Sequence, residues 1–133
     1  MTLQVELVSP ERILYSGEAE MVLARTVGGG DIAFQTGHAP FIGALATWTV
    51  TIFEEGGTRK VAAVHGGFVE VSNNSVKILS DVAELEDQVD IERARRAAAA
   101  ASVAAASEQH EEAVAALARA HARLRAAGQA VDA

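Results

Sequence analysis

Histidine is the first side chain to weigh for chemistry near neutral pH, and this chain has four. His38 lies in Thr36-Gly37-His38-Ala39-Pro40, which reads as a tight turn, and His65 ends a strand ahead of Gly66-Gly67. Neither has a serine or carboxylate at the spacing of a nucleophile–base pair, so general-base catalysis lacks its partner. His110 and His121 are eleven residues apart on one helical face, with only Glu111 and Glu112 near. A metal needs more ligands, and without cysteine no thiolate site can form, so interhelical packing is the expected role. Gly28-Gly29-Gly30 could cradle a phosphate, but a P-loop needs Gly-Lys-Ser/Thr opening a helix, and here Asp31-Ile32 opens a strand. Gly28, Gly30 and Ala33 mimic a dinucleotide fingerprint with the same defect, so the glycines are expected to make a turn. No catalytic constellation and no metal site emerge.

The elements that carry these residues divide at about residue 86. Before it, apolar and polar residues alternate in short runs: Leu3 to Leu7, Arg12 to Gly17, Glu18 to Thr26, Asp31 to Gln35, Thr47 to Phe53, Arg59 to Val64, Phe68 to Val71 and Ser75 to Leu79. Ser16-Gly17, Gly28-Gly29-Gly30, Glu54-Glu55-Gly56-Gly57, Gly66-Gly67 and Asn73-Asn74 supply turns between them. Trp48, Val50 and Ile52 share one face of their strand. The pattern predicts an α+β chain: an antiparallel β-sandwich of about 8–10 strands over residues 1–86, then an α-helical hairpin over 87–133.

The second segment is Ala-rich, with 19 Ala in residues 89–133 and neither Pro nor Gly from Asp90 to Ala127. Ala is the best helix former, so the segment is helical on propensity alone. It has little bulk to bury, because an Ala methyl contributes about 0.8 kcal/mol where a buried Val or Leu contributes about 1.5–3. A helix that forms easily and docks weakly can move without unfolding. Asp87 or Asp90 can cap the first helix, and Ser107 a second, with Glu108, Glu111 and Glu112 near its positive end. His110, Val114, Leu117, His121 and Leu124 form the expected apolar stripe, and Gly128 the stop. A hairpin bent near Ser107 is the favoured form, one continuous helix the rival.

Charge is uneven. Residues 1–88 hold 5 Lys/Arg against 12 Asp/Glu, whereas residues 89–133 hold 6 Arg against 6 Asp/Glu. The acidic front half argues against nucleic acid or anionic lipid as direct partners. The N-terminus lacks the basic and apolar runs of a signal peptide, and no apolar stretch approaches the ~18 residues of a membrane span.

Gly30-Asp31-Ile32-Ala33-Phe34-Gln35-Thr36-Gly37-His38-Ala39-Pro40 resembles the Gly-acid-Ile/Leu-Gly-Ile-Leu-Pro-Gly-His-x-Pro segment of the F-type ATP synthase epsilon subunit. Val8-Ser9-Pro10-Glu11 with Tyr15-Ser16-Gly17 is similar to that family's opening hairpin, and Gly66-Gly67-Phe68-Val69-Glu70-Val71 with Val76-Lys77-Ile78-Leu79 to its Gly-Gly-Phe-x-x-Val strand pair. Ala33 and Thr36 stand where the family usually has Gly and Pro.

The resemblance implies a non-catalytic rotor component of a proton-translocating ATP synthase, bound to the gamma subunit and resting on the ring of c subunits. It implies peripheral association with a membrane through the complex, and the lack of a transit segment points to the cytoplasmic side of a bacterial cell membrane rather than to an organelle. Asp31 falls at the acidic position facing the c-ring, with Gly37 and His38 expected nearby. Val89-Asp90-Ile91-Glu92-Arg93-Ala94 resembles the (Ile/Leu)-Asp-x-x-Arg-Ala segment that binds ATP in some members, and Arg119, Arg123 and Glu84 fall at matching places. Arg119 and Arg123 are i and i+4, on one side of a helix, and guanidinium groups suit phosphate oxygens. ATP would thus be a regulatory ligand, with no cofactor required. In the alternative reading Asp90 is a helix cap and Arg93 pairs with an acid one turn away. An undocked arm would present Arg93, Arg96, Arg119 and Arg123 to the catalytic alpha/beta head and restrain hydrolysis. The competing functional reading is a stand-alone nucleotide- or small-ligand-binding module with a helical lid.

Overall fold

Each front-half segment has one apolar side to hide, and the strands hide it against each other. The computed structural model describes residues 2–104 and 110–129. Its strands are β1 Leu3–Val8, β2 Ile13–Thr26, β3 Gly30–Gln35, β4 Phe41–Ala44, β5 Thr47–Glu54, β6 Arg59–His65, β7 Phe68–Ser72, β8 Ser75–Leu79 and β9 Ala83–Leu85. A 3-10 turn at Glu86–Gln88 leads to the helices α1 Ile91–Ala104 and α2 His110–Ala126. The strand order is β4-β7-β8-β1-β2-β5-β6-β9, with β3 paired to β2. This is the expected β-sandwich followed by two helices, with one departure from antiparallel pairing. β1 runs parallel to β8, from Gln4 beside Ser75 to Val8 beside Leu79.

The turn expected at Ser16-Gly17 does not form, because β2 runs through it for 14 residues. Gly17 instead makes room for a neighbour: a Cβ there would lie 3.0 Å from the Tyr15 hydroxyl. That hydroxyl donates to Glu54 Oε2 at 2.6 Å, tying β2 to β5. Burial and the adjacent carboxylate push the phenol up to about 12. The alternating residues Leu3, Val5, Leu7, Val22, Phe34, Val50, Ile52, Val69, Val71, Val76 and Ile78 make the core, each 1% exposed or less. Trp48 does not join Val50 and Ile52 in it. The indole is half-buried, with the guanidinium groups of Arg25 and Arg125 at 4.0 and 4.8 Å from its ring centroid.

The helices form an antiparallel pair, since Arg95 near the start of α1 donates to Gln129 just past the end of α2. One continuous helix is therefore ruled out. Asp90 caps α1, its Oδ1 accepting from the Arg93 amide at 3.1 Å. Gly128 ends α2 with φ +80. Its amide bonds the Arg125 carbonyl, and the Gln129 amide bonds that of Leu124, the Schellman pattern. The expected Ser107 cap, with Glu108, and the side chain of His110 lie outside the described residues.

The arm's buried stripe differs from the expected one. Leu124 is buried, but Val114 is 44% exposed, and Ala113, Ala120, Ala122 and Ala126 fill the covered positions instead. Ala122 and Ala126 meet Ala63 of β6, with Val61 and Val89 packed around them. Side chains this small let the helix axis approach the sheet closely.

Candidate functional site at the seam between sandwich and arm

β9 and the 3-10 turn bring Glu84 to the open end of the groove between α1 and α2. There Glu84, Asp90, Arg93, Ala94, Ala97 and Arg123 line a cavity of about 180 Å³. Four of the six residues expected at a regulatory nucleotide site thus converge. Val89 is not among them, since it packs with Ala63, Ala122 and Ala126. Arg119 is turned to its own helix, where it holds Glu112 at 2.9 Å.

Arg123 Nε donates to Glu84 Oε1 at 2.5 Å, both groups being about three-quarters buried or a little less. Arg93 makes no ion pair among the described residues, contrary to the expectation that it pairs with an acid one turn away. Asp90 spends Oδ1 on its own helix while lining the cavity. The arrangement offers one open guanidinium (Arg93), one guanidinium held by a carboxylate (Arg123), and two acceptors, Asp90 and Glu84. It suits an anionic group on the arginines with a donor group on the acids.

Beside this cavity lies His65, which no motif singled out. Its side chain is only 4% exposed, with Nε2 4.0 Å from Glu84 Oε1. Neither ring nitrogen has a hydrogen-bond partner. Burial first, then the positive charge of Arg123, holds the imidazole down at about 4, with Glu84 opposing and Arg119 adding to the shift. The alternation Val61, Ala63, His65 carried the signal, because these residues share the strand face on which the Ala-rich helix docks.

The residues expected at the c-ring do not cluster. Asp31 lies at one end of β3, opposite Arg25 in the β2 register, and Arg25 Nε holds its Oδ1 at 2.9 Å. That hydrogen bond, with the charge of Arg25 and more weakly of Arg125, keeps the carboxyl below the usual carboxylate range. Gly37 and His38 lie past the other end of β3, about 13 Å or more along the strand at ~3.3 Å per residue. The Gly37 amide donates to Asn74 Oδ1 at 2.7 Å, and the His38 ring packs edge-on against Phe34 at 5.0 Å. His38 Nδ1 lies 2.7 Å from the Ala39 carbonyl oxygen, so this imidazole is used locally.

A β-sandwich followed by an antiparallel helix pair, its second helix laid on β5 and β6 with arginines at the seam, defines a class. Residues 2–86 match the family model of the ATP synthase delta/epsilon chain β-sandwich domain. A Thermobifida fusca protein named ATP synthase epsilon chain is 46% identical over 128 residues, covering 92% of this chain and 90% of its own length. A Streptomyces griseus ATP synthase epsilon chain is 46% identical over 95 residues, covering 71% of this chain and 76% of its own. Among solved structures, a chain of the Euglena gracilis mitochondrial ATP synthase assembly of OSCP, F1 and c-ring has the same fold, with TM-score 0.82 at 21% identity. That likeness covers 96% of this chain and 82% of that one. The chain belongs to the ATP synthase delta/epsilon family, and its likeness to epsilon chains extends through the helical arm.

Proposed function

We propose that this chain is the epsilon subunit of an F-type proton-translocating ATP synthase, a non-catalytic part of the central stalk. The observation that carries the reading is the match to epsilon chains over both sandwich and arm. As a stalk component it passes torque rather than making bonds. No described helix is long and apolar enough to cross a membrane, so membrane association would come through the complex.

Its partners in this reading are the gamma subunit and the c-ring. The face for gamma is an apolar row on the side of the sheet away from the arm. Ala44, Phe68, Leu79, Val8 and Ile13 lie side by side across five strands. Ile13 is 60%, Phe68 56% and Leu79 43% exposed, a continuous patch with a clear use for a stable neighbour. Asp31 at the β2–β3 tip is the residue for polar loops of the c-ring, with Gly37 and His38 at the opposite end too far to share that contact.

The arm is a brake on hydrolysis when extended toward the catalytic alpha/beta head, and regulatory ATP holds it folded. The support is the convergence of Glu84, Asp90, Arg93 and Arg123 on one cavity. The cavity is smaller than the ~300–1,000 Å³ of most ligand sites, so ATP must open it and take Arg123 from Glu84. Ligand then stabilises the folded arm by about 2.7 kcal/mol at a hundredfold excess over Kd. Arg93→Ala removes the open cation and is expected to weaken ATP binding tenfold or more, about 1.4 kcal/mol, by calorimetry. Truncation before Val89 tests the brake: the assembled enzyme should hydrolyse ATP faster while synthesis persists. Unchanged hydrolysis would leave only the coupling role.

A further inference from the structure

We propose that His65 is a proton-operated release for α2: the helix lies on β6 only while this imidazole is neutral, and protonation drives the helix off. The geometry carries it. His65 sits at the end of β6 under the arm, 4% exposed, with no partner for either nitrogen. A neutral ring can be tolerated there with one unpaired N–H, whereas an imidazolium would bring two unpaired donors and a buried charge.

The surroundings make the charge worse. From α2, Arg123 lies on Glu84 beside the ring, and Arg119, paired with Glu112, adds its positive charge from further off; both act against protonation. From β9, Glu84 is the one opposing carboxylate, 4.0 Å away and already bound to Arg123. From α1, Asp90 and Arg93 line the adjoining cavity and cancel in charge. On β5 the residue opposite is Thr47, followed by uncharged Trp48, Thr49 and Val50. The loop before β9 offers the Val82 carbonyl to the His65 amide, and Asp81 beside it is exposed. On α2 itself His121 is half-exposed, and Arg125 lies over Trp48. When α2 leaves, both arginines leave with it, and the ring meets water.

The direction of the pH effect follows. The docked ring titrates at about 4 and an exposed one at 6.5, so docking is fully supported above 6.5 and weakens as pH falls below it. The weakening reaches about thirtyfold at pH 5 and levels off at about 300-fold below pH 4. The core between the sheets does not share this dependence, because the buried polar residues described are Thr26, Thr49 and Ser80, none of which titrates. Release on acidification would act on hydrolysis only if the arm is the brake described above, whereas docking itself can be read without that assumption.

The experiment uses the full chain. Trp48 is the only tryptophan, and Arg125 of α2 covers it, so its fluorescence reports docking, and amide exchange in α2 against β1 and β8 locates the change. Between about pH 7.5 and 5 the wild type should lose α2 protection about thirtyfold while β1 and β8 keep theirs. His65→Gln and His65→Leu should hold α2 protection flat over that range, and His121→Gln should behave as wild type. An arm as protected at pH 5 as at pH 7.5, or equal loss in the His65 variants, overturns the proposal. If neither variant folds, an NMR titration of wild-type His65 decides: a midpoint at or above 6.5 overturns it, and one well below supports it. A wild-type pH response that the His65 variants lack, together with hydrolysis unaffected by arm deletion, would sink the brake and leave the release standing.

Discussion

Gly67 shows how one residue constrains this fold. Its φ is +112, and an added Cβ would run into the Leu79 carbonyl and Ser80 Cα. Both contacts are backbone, so nothing flexible can yield. Gly67→Ala is expected to cost about 1–3 kcal/mol, read as a lowered denaturant midpoint, with Gly56→Ala a milder comparison because no atom lies near its Cβ position. The Gly66-Gly67 pair was legible in the sequence as a turn. The reason for the second glycine was not, because it depends on β8 passing behind it. The same holds for His65, whose importance comes from a helix that begins 45 residues further along the sequence. Asp31 is the opposite case. Its acidic character and strand-start position were readable, but its Arg25 partner sits across a strand register. That pair is about half exposed on the carboxylate side, so it contributes no more than about 1 kcal/mol, and its use lies in presenting the carboxylate.

At the scale of the element, α2 owes its place to what it lacks. Its buried positions among the described residues are Ala113, Ala120, Ala122, Leu124 and Ala126, and the two that meet β6 are both alanine, Ala122 and Ala126. Sequence periodicity pointed to the bulky residues, since hydrophobic size is what a helical stripe is usually read from. The helix uses alanine there because Ala63 on β6 is equally small, and close approach replaces bulk. Such a seam has no room for growth. Ala122→Leu is expected to lift α2 from the sheet at a cost of about 1–3 kcal/mol, seen as faster amide exchange in α2 with the strands unchanged. If exchange in β5 and β6 rose equally, the arm would be part of the cooperative core. The strands themselves were mostly legible, because period-two alternation survives wherever one face is buried. Short β4 and β9 were not, being four and three residues long. Nor was the unbroken β2, where glycine suggested a turn but serves Tyr15.

On the scale of the whole molecule, the sandwich has two working faces that carry opposite surfaces. One is covered by alanines and rimmed with arginines, the seam proposed above to part. The other offers Ile13, Phe68 and Leu79 to solvent, and no described segment of this chain covers them. A reversible contact and a permanent one call for this difference: burying three large side chains at about 1.5–3 kcal/mol each outweighs what alanine methyls supply. The two functions should therefore separate by mutation. Phe68→Asp places a charge in the middle of the apolar row, where its neighbours Ala44 and Leu79 cannot pair with it. Because Phe68 is 56% exposed in the isolated chain, the variant should fold with a midpoint within about 1 kcal/mol of the parent. Its retention by a gamma-type partner on co-purification should fall at least a hundredfold, about 2.7 kcal/mol. The arm-deleted chain should do the reverse, staying bound while hydrolysis rises. If Phe68→Asp co-purified undiminished, the row would not be the rotor contact. The partner's seat would then have to be sought at the edge strand β4 or at the Asp31 tip.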